Sequence, residues 1–451
     1  MGISMSTASR LLITDATIVS VDPGIGVVPV GDIAVEDGVI TAVGPGQPRE
    51  GAIVIDGSAW IVAPGFVDTH RHTWLSAIRH SYGDVDPLRY FKEVLGGAGP
   101  RYSPEDVYAA TRLGAVSALS SGTTTLMDWA HIQNTPDHAD AGLAALTESG
   151  IRSIYGHGWP MTTDGAWTSS SELRHPDDIW RLADIIDGQE RTSLALAARG
   201  PEMAVADVWE HELRLARELG IRTSVHVGAY APNARARAVE AYAQRGLLSD
   251  DMTFVHCSNT SDEEIAMLAE AGATVSLGVH CELNSQGIGD VPLDRLLAHG
   301  VRPSLSGDNE TKCAGDMFTQ MRSLFAYYRS WVGGRHSSIA DPHPLTLQDM
   351  LEFATIEGAR AVGLQDSIGS ITPGKQADLI CLRHDDLNIA PVTDPVAAIV
   401  LGAHEGNIDT VFVAGEQLKS GGRMIRADSA ETVRLALEAQ QRLYPEWDLR
   451  P

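Results

Sequence analysis

The chain has 451 residues, 43% hydrophobic and 21% charged, so it can bury a large core and does not have the composition of a disordered protein. Thirty-four basic against 59 acidic residues leave a formal net charge of −25, which repels phosphate backbones and argues against nucleic acid as a partner. No apolar run reaches the ~18 residues of a membrane span, so no membrane association is expected.

Residues 10–62 alternate short β-rich runs with turns, and Glu36-Asp37-Gly38 reads as a hairpin turn. A small antiparallel sheet is expected there. From residue 61 the pattern changes to strand, loop and helix in repetition. The strand candidates are 61–68, 122–129, 152–158, 193–199, 222–227, 252–257, 274–280 and 302–307, with amphipathic stretches between them such as 206–219, 262–271 and 293–299. Strands alternating with helices in this way predict an α/β fold, a (β/α)₈ TIM barrel. A long insert at 80–102 and a segment at 309–335, helical from 317 to 328, read either as covers of the barrel mouth or as simple surface helices. After 366 short strands return at 377–382 and 410–413, and a final amphipathic helix is expected over 427–442. The expected organisation is therefore a β-sandwich built from residues 1–62 and 366–451 around a catalytic barrel at 63–365.

The chemistry-bearing residues sit at the ends of the predicted barrel strands. Pro64-Gly65-Phe66-Val67-Asp68-Thr69-His70-Arg71-His72 closes the first with two histidines spaced i, i+2, which a strand turns to one side. Thr223-Ser224-Val225-His226, Thr253-Phe254-Val255-His256 and Pro303-Ser304-Leu305-Ser306-Gly307-Asp308 end three others. Imidazole and carboxylate together suit a divalent transition metal, with zinc favoured and iron(II) the alternative. The start, Met1-Gly2-Ile3-Ser4-Met5-Ser6, lacks the regions of a secretory leader and fits only a loose acylation pattern. The four cysteines, Cys257, Cys281, Cys313 and Cys381, form no C-x-x-C pair. A reduced, cytoplasmic protein is expected, acting on a small molecule, with a homo-oligomer as the expected assembly. Cys257 and Cys281, each following a histidine, read as core residues.

These motifs, with Gly369-Ser370-Ile371-Thr372-Pro373-Gly374-Lys375-Gln376-Ala377-Asp378-Leu379 near the C-terminus, resemble the amidohydrolase superfamily, in particular its cytosine deaminase and chlorohydrolase-like branch. The resemblance implies that His70, His72, His226 and Asp308 hold one metal ion. His256 would then orient water or substrate and Asp308 would accept the water's proton. The fourth strand, Ser193-Leu194-Ala195-Leu196-Ala197-Ala198-Arg199, lacks the lysine that bridges two metals in binuclear members, so a mononuclear site is expected. The branch usually carries a proton-shuttling glutamate three residues after the fifth-strand histidine, where this chain has Ala229. His280 and Glu282, read as neighbours on one face of the seventh strand, are the leading replacements. Glu202 and Glu310 follow behind them, and each of these acids also reads as an ordinary solvated loop carboxylate. Trp74, Trp129, His157 and Arg199 are the expected substrate-binding residues, with Trp159 beside them. The expected activity is metal-dependent hydrolysis of a C–N or C–halogen bond in a small cyclic or heteroaromatic compound, deamination foremost. The other expectation is a metal-dependent lyase or a binding protein that lost hydrolysis with the fifth-strand glutamate.

Overall fold

The computed structural model describes residues 10–163, 165–332 and 345–446. The acylation-like start and the last residues of the 309–335 segment lie outside them. Eight parallel strands form the barrel: β6 (Phe66–Arg71), β7 (Thr123–Ala130), β8 (Arg152–His157), β9 (Thr192–Ala198), β10 (Arg222–Val227), β11 (Met252–His256), β12 (Thr274–Leu277) and β13 (Ser304–Leu305). A second, nine-stranded sheet is gathered from both ends of the chain. Its N-terminal members are β1 (Arg10–Val19), β2 (Val27–Glu36), β3 (Val39–Gly44), β4 (Ala52–Asp56) and β5 (Trp60–Pro64). Its C-terminal members are β14 (Leu379–Arg383), β15 (Ile408–Val413), β16 (Glu416–Ser420) and β17 (Arg423–Met424).

Alternation builds the smaller core. Leu11, Ile13, Ile33, Val35, Ile40, Val62, Leu379, Cys381 and Phe412 enter one apolar cluster, although their strands lie far apart in the sheet order. The sheet therefore folds over itself as a sandwich. It is mixed, not purely antiparallel: β1 runs antiparallel to β2 but parallel to β4 and β5. The hairpin rule governs only strands joined by tight turns, and the 45–51 loop carries the chain across to the far side of β1.

Two strand readings are corrected. The apolar run at 61–68 is two strands, β5 in the sandwich and β6 in the barrel, with Gly65 between them. A Cβ on Gly65 would lie 2.1 Å from Thr124 Oγ1, so only glycine lets the chain pass between the sheets at that point. The run at 274–280 stops at Leu277, and Val279–Asn284 is helical. The Glu282 carboxylate accepts the Gly278 N–H at 3.0 Å while the Glu282 N–H bonds the Gly278 carbonyl at 2.8 Å, which closes a helical turn. Alternation thus says nothing about how His280 and Glu282 face.

Helices pack outside the barrel. The helix at Pro104–Ser120 starts from a capping box, Ser103 with Asp106, and a proline at its first position. No described helix is long and apolar enough to cross a membrane. Between β12 and β6 the barrel is completed by a single parallel bridge, Arg71 with Asp308, beyond the two residues of β13.

Sandwich and barrel are joined by a buried ion pair. Arg152 on β8 donates through Nε and Nη2 to both oxygens of Asp378, at 2.9 and 3.0 Å, and Asp378 also accepts the Ala414 N–H. Removing one partner strands the other charge in a dry interface. Asp378→Ala should cost about 3–5 kcal/mol, the usual penalty for breaking a buried pair. Urea unfolding followed by circular dichroism checks it; a loss below about 1 kcal/mol would show that the pair does not hold the two sheets together.

Candidate metal centre

The site begins with a bulge. Against β7, Asp68 pairs with Leu126 and Arg71 with Asp128, so three steps on β6 span two on its partner. The extra residue breaks alternation. Thr69 stays inside, where its hydroxyl meets Ser276 Oγ, Ser304 Oγ and the Leu305 carbonyl at 2.7–3.0 Å. His70 also turns inside, while Arg71 points out to Asp68 at 2.7 Å.

His70, His72 and His226 converge, with one ring nitrogen of each within 4.8 Å of the others. Asp308 Oδ1 lies 3.6 Å from His70 Nε2 and 3.7 Å from His72 Nε2. Both ring nitrogens of His70 are buried without a hydrogen-bond partner. Such orphaned nitrogens are costly unless a ligand takes them. His72 Nδ1 meets the Trp129 carbonyl at 3.0 Å, leaving Nε2 for the cluster. Burial holds all three imidazoles below their ordinary pKa, in the neutral form that binds metals. Burial pushes the Asp308 carboxyl up, but its contact with His70 and the charges of the surrounding histidines outweigh this and keep it well below the usual carboxylate range. This donor set fits a divalent transition metal.

Strained backbone completes the constellation. Asp308 and His256 adopt φ of 47° and 75°, conformations costly outside glycine. Met252 and Phe254 on β11 face the outer helices, as the contact of Phe254 with Tyr242 shows. Alternation would send His256 the same way. Its left-handed backbone swings it inward instead, with the ring centroid 5.5 Å from that of His226. There His256 Nδ1 meets Glu282 Oε1 at 3.1 Å. Burial lowers the pKa of His256, but the Glu282 hydrogen bond and the charges of Asp308 and Glu202 more than offset it, so the net shift is upward.

Trp129 packs edge-on to His226, with centroids 4.4 Å apart, and Trp74 lies near the group with Nε1 3.4 Å from His131 Nδ1. His131 was not singled out by its sequence context. Its ring is 4.4 Å from that of His72, and the only signal available was its position two residues after Trp129. Tyr90, from the 80–102 insert, is buried under Lys312, whose Nζ lies 4.6 Å from the ring centroid.

Three expected site residues lie elsewhere. His157 shares the outward face of β8 with Tyr155 and pairs with His175, Nδ1 to Nε2 at 2.8 Å. Arg199 commits every N–H of its guanidinium to Glu212, Ser171 and the carbonyls of Ala166 and Leu173, leaving none for a substrate. Its plane also stacks 4.2 Å from the Trp159 centroid. His280 does not join the converging histidines, and its Nδ1 accepts the Ala314 N–H at 3.1 Å. Of the remaining acids, Glu310 is bound up with Arg71 and Arg79, whereas Glu202 hangs over the end of β10.

Residues 61–418 match the amidohydrolase family. A 5-methylthioadenosine/S-adenosylhomocysteine deaminase of Moorella thermoacetica is 29% identical over 94% of this chain and 97% of its own. A 5'-deoxyadenosine deaminase of Methanopyrus kandleri is 26% identical over 85% and 86%. Among solved structures, an adenosine deaminase from Xanthomonas campestris with bound zinc superimposes with a TM-score of 0.84 at 23% identity, covering 97% of this chain and 99% of that one. Atrazine chlorohydrolase from Arthrobacter aurescens, complexed with zinc, gives 0.83 at 20%, covering 95% and 100%. At these identities the two structures speak to the fold.

The His256–Glu282 pair yields a prediction for the metal-free protein. Because the folded pKa of His256 lies above its unfolded value of about 6.5, the pair's stabilisation is full below that pH and is lost as pH rises through the folded value. Histidine ring NMR should show one imidazole titrating above 6.5, moving downward in Glu282→Gln. An unchanged titration in that variant would dissolve the pairing.

Proposed function

The chain belongs to the amidohydrolase family, and from this membership and the site geometry we propose that it is a mononuclear metal-dependent deaminase of a small amino-bearing heterocycle. The relatives most alike in sequence include deaminases, and this chain is a hydrolase acting on C–N bonds other than peptide bonds. The observation that carries the reading is the convergence of His70, His72 and His226 on Asp308, with both nitrogens of His70 left unpartnered.

In this reading His70, His72, His226 and Asp308 hold one divalent ion, and zinc is favoured because zinc is bound in structures of the same fold. When bound, such an ion would lower the pKa of a water molecule toward ~7. The chain's own residues do the rest. Asp308 accepts the proton of the attacking water at a carboxylate oxygen that its surroundings keep ionised. His256, held by Glu282, presents its other nitrogen as a donor to the attacking oxygen. Trp129 and His131 offer flat faces against which a heteroaromatic ring stacks. The purine deaminases among the relatives favour an adenine-like substrate.

Two results follow. Elemental analysis of purified protein should find about one equivalent of transition metal per chain, lost in His70→Ala and His226→Ala; two tightly held equivalents would refute the mononuclear reading. Asp308→Asn should lower ammonia release on the order of 10²–10⁴-fold, the usual share of general base catalysis, with the fold intact by circular dichroism. Near-normal turnover would take Asp308 out of the mechanism.

A further inference from the structure

Hydrolytic deamination needs a second proton transfer. Water adds to carbon, the C–N bond breaks, and the nitrogen leaves as ammonia only if a proton reaches it. Most acids around the site are already engaged. Asp308 faces His70 and His72, Glu282 bonds His256 and the Gly278 N–H, and Glu310 is held by Arg71 and Arg79. Asp68 is paired with Arg71. His280 accepts the Ala314 N–H. At the position three residues after His226 there is only the methyl of Ala229.

Glu202 is differently placed. β9 ends at Ala198, and the chain turns at Gly200, whose φ is 66° and whose added Cβ would lie 2.8 Å from both Tyr242 Oη and Val225 Cγ2. This turn sends Glu202 across the end of β10, where its Oε1 accepts the Gly228 N–H at 2.7 Å, one residue before Ala229. The carboxyl is buried and has no cationic partner among the described residues within ion-pair distance. Along this end of β10 His226, Ala229 and Tyr230 are half-buried, whereas His70, His72, His256 and Asp308 are buried.

We propose that Glu202 is the acid that protonates the departing amine, supplying from the fourth strand what Ala229 lacks on the fifth. This rests on the deaminase reading. Glu202 gives its carboxylic proton to the amine nitrogen, the C–N electron pair leaves with ammonia, the hydroxyl stays on carbon, and the proton that Asp308 took from the water passes back to the Glu202 carboxylate. Burial raises its pKa to about 7, against the Gly228 and Asn233 hydrogen bonds and the charge of His256, with Glu264 pushing the other way. Tyr242 and Cys257 are the other titratable groups that feel its charge. A carboxyl poised there can be protonated at neutral pH and still let the proton go.

The test uses the full-length, metal-loaded protein. Ammonia release is measured with adenosine, 5'-methylthioadenosine and aminotriazines. Glu202→Gln keeps an acceptor for the Gly228 N–H and should preserve the fold. It should lower kcat on the order of 10²–10⁴-fold with little change in KM. The double variant Glu202→Ala with Ala229→Glu, which moves the carboxyl to the neighbouring loop, should recover at least a tenth of wild-type kcat. A second readout needs no turnover: the carboxylic C=O infrared absorption lost between about pH 6 and pH 9 should be weaker in Glu202→Gln than in wild type, with Asp128, raised to about 6 by burial, supplying the remainder. Wild-type kcat in Glu202→Gln, or an unchanged infrared spectrum, overturns the inference and leaves the deaminase reading standing. A wild type that releases no ammonia overturns that reading, and the proton's destination with it.

Discussion

The hydrogen bonds that close the barrel are the ones that hold the candidate metal centre together. β13 is only two residues long, and the ring is completed by the backbone of Asp308, whose N–H donates to the His70 carbonyl at 2.9 Å and whose carbonyl accepts the His72 N–H at 3.1 Å. Closing the barrel and bringing Asp308 beside His70 and His72 are thus one event. Asp308 reaches this position through a left-handed backbone, and that strain is tolerated because the neighbouring strands over-determine it. The Thr69 hydroxyl, one residue before His70, meets those of Ser276 and Ser304 and so links β6 to β12 and β13.

A layer of buried charge lies outside that closure. Arg71 turns away from the barrel axis to Asp68, Glu310 and the Gly315 carbonyl, and Asp68 also accepts the Gly307 N–H at 3.0 Å. An added Cβ at Gly307 would lie 2.5 Å from Arg71 Nη2, so the guanidinium occupies the space a side chain would need. Burying these ions is costly, and the cost is offset only by complete pairing. What the pairing achieves is position. It ties the strand that carries both histidines to the loop that carries Asp308. Arg199 does the same for the opposite rim. By bonding the carbonyls of Ala166 and Leu173 it anchors the loop that brings Trp167 within 5.6 Å of His131 and 6.2 Å of Trp129.

Much of the architecture was legible along the chain because it is written in local periodicity. Strands alternating with amphipathic helices announced the barrel, and short β-rich runs at both termini announced the sandwich. The strand-end histidines and Asp308 were visible for the same reason. The readings that needed correction share one cause. The 61–68 run looked continuous because an apolar strand leaving one sheet and entering another has no compositional break beyond Gly65. The 274–280 run looked like a strand because a short helix of mixed residues after Leu277 carries no periodicity of its own.

The sequence by itself determined the fold class and the order of the histidines and Asp308 at the strand ends, since each depends on residues close together in the chain. Tertiary structure alone decided which way those residues point. Alternation counted from neighbours would have turned His256 outward; a positive φ turns it in. The bulge on β6, visible only against β7, lets Thr69 and His70 face the same interior. Arg199 and His157 end barrel strands as a substrate-binding residue would, yet Glu212 and His175, distant in sequence, claim them. A side chain's role follows from what remains unpaired after every competing partner has been placed, and those partners are assembled only when the chain folds.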